Sequence, residues 1–304
     1  MGGNWFESLD EVPRALRKVG YLADDATATS VFLASRLEKP LLIEGPAGTG
    51  KTDLARALAE ATRRQLIRLQ CYEGLDESKV LYEWNYRKQL LWLQAERLQT
   101  APDPAASAVD GGRAGGGRVE LEDIFSEPFL LERPVLQAIR SEEPSVLLID
   151  EIDRIEMETE ALLLEVLSDY QVTIPELGTV RSATHPFTIL TSNATRELSE
   201  ALKRRCLYLW LDYPSLDRER TIVLSRIPEA DEVLADRIVR VVRSLRGLDL
   251  KKSPSIAETL DWARTLVELG IDDVNEDTVS RTIGTLLKHP SDIDKARSEG
   301  IASS

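Results

Sequence analysis

Short apolar runs separated by amphipathic stretches organise the first two-thirds of the chain. LLI at 41–43 and SVLLI at 145–149 are unbroken apolar runs, the pattern of strands buried on both faces of a parallel sheet. Residues 65–70 alternate polar and apolar positions, and 187–191 and 206–211 complete a set of predicted strands. Residues 171–174 and 179–182 flank the turn PELG and predict a β-hairpin. Helical spacing runs over 11–19 and 25–37, with Asp24 or Asp25 as cap, then from Lys51, and over 78–99, 129–139 and 157–169. Beyond Asp212-Tyr213-Pro214 every periodic stretch is helical: 216–226, 233–245, 256–269 and 276–287. The expected organisation is therefore an α/β core over 1–212 and a small all-helical domain over 213–304. Trp5 and Phe6 are candidate anchors for an otherwise loose start, and the last dozen residues are polar and expected to fray. TAPDPAASAVDGGRAGGGR, about 100–118, has no apolar period and is expected to be a flexible surface loop.

Composition narrows the class. The 304 residues are 42% hydrophobic and 30% charged, enough apolar content for a sizeable core. A formal net charge of −14 speaks against a general affinity for nucleic acid, which needs clustered basic residues. Cys71 and Cys206 are far apart in sequence and are expected to be buried free thiols in a reducing compartment. No run approaches membrane-spanning length and no apolar leader follows a basic start, so a cytoplasmic protein is expected. His185 and His289 have no companion at ligand spacing, which argues against a metal site built on them. Trp84, Trp92, Trp210 and Trp262 are expected to pack in the interior.

The chemistry begins where the first strand ends. Gly45-Pro46-Ala47-Gly48-Thr49-Gly50-Lys51-Thr52 is a complete G-x-x-x-x-G-K-[ST] loop, preceded by a strand and followed by a helix, the context this motif requires. Such a loop wraps phosphates in backbone N–H groups, adds the positive end of a helix, and supplies a lysine to the terminal phosphates. Asp150 and Glu151 close the apolar strand at 145–149. Asp150 with the Thr52 hydroxyl can hold Mg²⁺, and Glu151 can activate the water that attacks the γ-phosphate. Asn193, in TSN at the next strand end, either orients that water or caps a helix starting near Thr195. Arg204 and Arg205 precede the last strand, and are either solvated charge or an arginine finger reaching a neighbour's γ-phosphate.

GPAGTGKT, LLIDEID, TSN and ALKRRC, in this order and followed by a helical domain, resemble an AAA+ ATPase. FSEPFLLERPVLQAI, LIDEIDR and SPSIAETLDWARTL are similar to MoxR-type members of the CoxD-like branch. The resemblance implies an αβα P-loop NTPase core with a five-stranded parallel sheet in the order 5-1-4-3-2, a helical lid, and a hexameric homo-oligomeric ring. It implies binding and hydrolysis of ATP with Mg²⁺, with Gly45 to Thr52 and Asp150 at the nucleotide, and an arginine supplied in trans. Arg205 matches the family position, while Arg204 stands where relatives often carry Asp. The lid sequence SPSIAE lacks the family's sensor arginine, and Arg264 is a weak substitute. The implied role is remodelling or maturation of a metalloenzyme client of the carbon monoxide dehydrogenase type, with a von Willebrand A domain partner. A nucleotide-gated adaptor with slow hydrolysis is the alternative; a nucleic-acid motor is disfavoured by charge.

Overall fold

The structure, a computed structural model, describes residues 5–100 and 124–299. Five parallel strands form its central sheet: β1 (Leu41–Glu44), β2 (Leu66–Gln70), β5 (Val146–Asp150), β8 (Phe187–Ser192) and β9 (Leu207–Trp210). Two short strands, β3 (Tyr82–Trp84) and β4 (Leu130–Glu132), pair with each other, as do β6 (Gln171–Ile174) and β7 (Gly178–Arg181). The sheet order is β2-β5-β8-β1-β9, which is the expected 5-1-4-3-2 when only the five sheet strands are counted. Strands β1, β5 and β8 are buried along their whole length, while the edge strands β2 and β9 alternate. That difference is why the central three read as solid apolar runs.

The two-residue period of the strands sorts their side chains onto two faces. Leu42, Ile67, Leu69, Leu147, Ile149 and Leu190 join one apolar cluster, which also holds Val135, Leu136 and Ile139 of helix Pro134–Arg140 and Leu163 of Met157–Asp169. Leu41, Ile43, Val146, Leu148, Ile189 and Leu209 join the other, with helices Glu11–Lys18, Asp25–Leu37 and Lys51–Thr62. The result is the three-layer αβα architecture expected of this chain. A third apolar cluster lies wholly in the helical C-terminal region and is centred on Trp262, fully buried, whose indole N–H donates to Thr282 Oγ1 at 2.8 Å. Ser215, Asp231, Ser255 and Asn275 cap four helices of that region, each accepting from a first-turn backbone N–H.

Several expected elements differ. The helix expected over 78–99 is a short turn, Glu77–Val80, then β3, then helix Tyr86–Thr100, which Asn85 starts by accepting from Lys88 N. The helix expected over 129–139 begins only at Pro134, because a residue before proline is pushed to extended backbone and Leu130–Glu132 pair with β3. The helix expected over 276–287 stops at Thr282 and continues as a 3₁₀ turn. Of the last dozen residues, expected to fray, 293–298 belong to helix Pro290–Ser298, where buried Asp292 accepts from the N–H groups of Lys251 and Lys252, and 300–304 lie outside the described residues. Trp210 is half exposed rather than internal, since it sits on the open face of an edge strand. Trp5 packs edge-on against Phe187 and Phe6 is buried, so the start of the described chain is anchored. Both cysteines are buried and unpaired, and burial pushes each thiol up to about 12. Beyond Thr100 the glycine-rich stretch lies outside the described residues. No described helix is long and apolar enough to cross a membrane.

Trp262→Ala is expected to cost about 3–5 kcal/mol through the cavity it leaves, while the Thr282 hydroxyl keeps its bond to Thr278 O at 2.6 Å. Urea unfolding of the two proteins measures it; a loss under 1 kcal/mol would mean that the helical region does not depend on this packing.

Candidate nucleotide site

A cleft of about 540 Å³ opens beyond the C-terminal ends of β1, β5 and β8. It is lined by Gly48, Lys51, Thr52, Asp150, Glu151 and Asn193 on the sheet side and by Ile256, Leu260 and Arg264 on the helical side. The position follows from topology: β1 leads away to β2 at one edge while β9 flanks it on the other, and ligands of parallel sheets sit at such crossover points.

The glycine loop takes its shape from positions a side chain cannot occupy. Gly45 has φ +153°, and a Cβ there would lie 2.0 Å from the Leu211 carbonyl oxygen. Gly48 has φ +76°, and its Cβ would lie 2.0 Å from the Ser255 Cβ. The loop is thus pressed between the end of β9 and the start of helix Ile256–Glu268, whose Ile256 N–H donates to Gly48 O at 3.2 Å. Gly50, at φ +94°, starts helix Lys51–Thr62 without a side-chain cap, which leaves first-turn N–H groups to the cleft. Lys51 is buried and donates to Gly45 O at 2.8 Å and Pro46 O at 2.7 Å. Burial lowers its pKa, and the carboxylates of Asp153, Asp150 and Glu151 oppose that shift.

Asp150, the last residue of β5, is the hub. Its Oδ1 accepts from Thr52 Oγ1 at 2.9 Å and from Thr191 Oγ1 at 2.5 Å. Its Oδ2 accepts from Arg68, Nη2 at 2.5 Å and Nε at 3.1 Å. Glu151 follows in left-handed backbone, φ 58°, which turns its side chain off the strand's direction. Its N–H donates to Thr191 Oγ1, and its Oε2 accepts from Gln70 Nε2 at 3.1 Å and faces Arg154 Nε at 2.8 Å.

Asn193 sits at the end of β8 and lines the cleft. It does not cap a helix: that helix begins at Glu200, and Ser199 is its cap. The Asn193 backbone N–H instead donates to Asp153 Oδ2, which also takes the Thr195 N–H and hydroxyl. Burial alone would raise the Asp153 pKa; these hydrogen bonds outweigh it and hold the carboxyl below its usual range. Arg204 and Arg205 are exposed and line no part of this cleft. They precede Leu207, which is in register with Leu41, so they stand at the opposite end of the sheet from their own glycine loop. Arg264 does reach the cleft wall, with Asp261 beside it at 3.4 Å.

Sequence reading missed the back of the site. Arg68 and Gln70 share one face of β2 by the alternation in LIRLQ, but only the pairing of β2 with β5 puts them on Asp150 and Glu151. Asp153 was visible as the third acidic residue of LIDEID. The cleft wall at Gly20, Tyr21 and Leu22 had no sequence signal; Arg218 ties it to the helical region by donating to Leu22 O and pairing with Asp24.

Gly48→Ala is expected to weaken nucleotide binding about tenfold or more, since relieving a 2.0 Å overlap must separate loop from helix and such overpacking costs about 1–3 kcal/mol. Gly74→Ala, also at positive φ but with nothing within 4 Å, is the control and should bind normally. Equal affinities of the two variants, read by fluorescent-nucleotide titration, would contradict the loop–helix contact.

Residues 40–206, more than half of the chain, match the family described as the AAA domain of the dynein-related subfamily. An uncharacterized protein of Staphylococcus saprophyticus is 26% identical over 241 residues, covering 77% of this chain and 78% of the relative. One from Staphylococcus haemolyticus is 25% identical over 254 residues, covering 81% and 82%. Among solved structures, the Thermotoga maritima RuvB Holliday junction branch migration motor aligns with TM-score 0.45 and 20% identity, over 93% of this chain and 72% of that one. A mutant of the same motor gives TM-score 0.49 and 19% identity, over 92% and 72%. With the loop, the strand-end acids and the sheet order in hand, the family match makes this chain a member of the dynein-related subfamily of AAA domains.

Proposed function

We propose that the chain binds and hydrolyses ATP and couples the cycle to remodelling of a protein client. The observation that carries the reading is the 2.9 Å hydrogen bond from Thr52 to Asp150. It brings the residue after the loop lysine against the acid of a strand 98 positions later, so loop and strand end form one site.

In this reading the loop amides and Lys51 hold the phosphates. The hard oxygen donors Thr52 and Asp150 fit Mg²⁺, which binds through one or two protein oxygens beside the phosphates and would neutralise their charge. Glu151 takes a proton from water as its oxygen adds to the γ-phosphorus, and the bond from that phosphorus to the bridging oxygen breaks, releasing ADP and phosphate. Asn193 orients the water. For this, Glu151 must leave Gln70 and Arg154, its present partners.

The exposed arginines at the far end of the sheet support a finger supplied to a neighbouring copy, and hence a homo-oligomeric ring. The lid reading, 213–304 against a core of 1–212, is supported by the separate apolar cluster and by the contacts of Ser255, Arg218 and Arg226 with the core. Arg264 lines the cleft wall, which supports it as a weak substitute for the family's missing sensor arginine. The MoxR-type, CoxD-like resemblance extends the proposal to a metalloenzyme client and a von Willebrand A domain partner.

Steady-state phosphate release is expected to fall at least a hundredfold in Lys51→Ala and Glu151→Gln, in line with the usual contribution of a general base, with ATP binding retained only in the latter. Normal turnover in Glu151→Gln would overturn its role. Mixing Arg205→Ala with Lys51→Ala protein should restore part of the turnover, since sites in the mixture combine an intact loop with an intact finger. No recovery with either Arg204→Ala or Arg205→Ala would sink the finger in trans.

A further inference from the structure

Among the described residues, Arg68 is the one charged side chain on Asp150 that neither the glycine loop nor the strand-end acids account for. It lies on β2, an edge strand, and its side chain is 40% exposed while Asp150 is almost fully buried. Both contacts go to Oδ2, the oxygen that Thr52 and Thr191 do not use. The same Nη2 also donates to Gln70 Oε1, and Gln70 in turn donates to Glu151. One guanidinium therefore touches the proposed metal carboxylate directly and the proposed base through a single amide. A two-pronged contact of this kind needs the planar fork of arginine.

We propose that Arg68 is a positioning residue that sets the affinity of the site for its divalent cation. It holds the Asp150 carboxylate in one rotation and offers it as a partly neutralised ligand. The inference rests on the reading of Thr52 and Asp150 as the cation's protein donors. A cation arriving at Asp150 meets a fixed positive charge on the same carboxylate, and the two repel at short range. The pair is partly solvated, so the effect is moderate: removing the guanidinium should tighten cation binding about fivefold, the scale of a semi-exposed ion pair. Losing the Gln70 contact should at the same time loosen Glu151, which gives a second signature in turnover.

The test uses Mn²⁺ as the probe, with its dissociation constant for ADP-loaded protein read from the free-ion paramagnetic resonance signal. Arg68→Gln and Arg68→Ala are expected to bind Mn²⁺ about fivefold tighter than the unmodified chain, and Arg68→Lys, which keeps the charge, to lie close to it. Unchanged or weaker Mn²⁺ binding in folded Arg68→Gln and Arg68→Ala would overturn the proposal. Asp150→Asn separates the two layers: if it leaves Mn²⁺ affinity intact, the cation site itself is misassigned. If it abolishes binding while the Arg68 variants match the unmodified chain, only the role of Arg68 falls.

Discussion

The hydrogen bond between Thr52 Oγ1 and Asp150 Oδ1 joins two pieces of chain that reach the cleft by different routes, one through β1 and the glycine loop, the other along β5. Much of the surrounding structure serves to make that meeting reproducible. β8 lies between β1 and β5, and its Thr191 hydroxyl bonds to the same Asp150 oxygen, so three adjacent strand ends converge on one carboxylate. The apolar clusters on the two faces hold the sheet in register, and register decides which side chains share the ends of the strands.

A carboxylate 2% exposed is costly unless its oxygens are engaged, and every contact of Asp150 answers that demand: two hydroxyls on Oδ1 and a guanidinium on Oδ2. Asp153 engages only Oδ2, with the backbone and hydroxyl of Thr195 and the N–H of Asn193, and so fixes the loop that carries Asn193, while its Oδ1 is buried without a hydrogen-bond partner. Stability and positioning are one network here. The helical region closes it from outside, where Ser255 fills the space a side chain at Gly48 would need and Arg246 pairs with buried Glu219 in two contacts, at 2.6 and 2.8 Å.

The five sheet strands were legible because the central three are buried on both faces and read as solid apolar runs, and because a specific loop motif placed the first of them; their order came only with the family resemblance. The short pair β3 and β4 was not: its strands are three residues each, their partners are 46 to 50 positions apart, and their flanks are helical. Of the site, Lys51, Thr52, Asp150, Glu151 and Asn193 were found by motif and do line one cleft. Arg68 and Gln70 were hidden because their meaning depends on strand pairing, which local pattern does not encode. Arg204 and Arg205, also found by motif, stand apart from this cleft at the opposite end of the sheet.

If loop and strand end act as one unit, a double-mutant cycle of Thr52→Ala and Asp150→Asn on ATP affinity in the presence of Mg²⁺ shows it directly. Residues sharing a hydrogen bond and a ligand are expected to be non-additive by about 1 kcal/mol or more, with the double variant little worse than either single one. Strict additivity, with each substitution exerting its full effect in the other's absence, would contradict it.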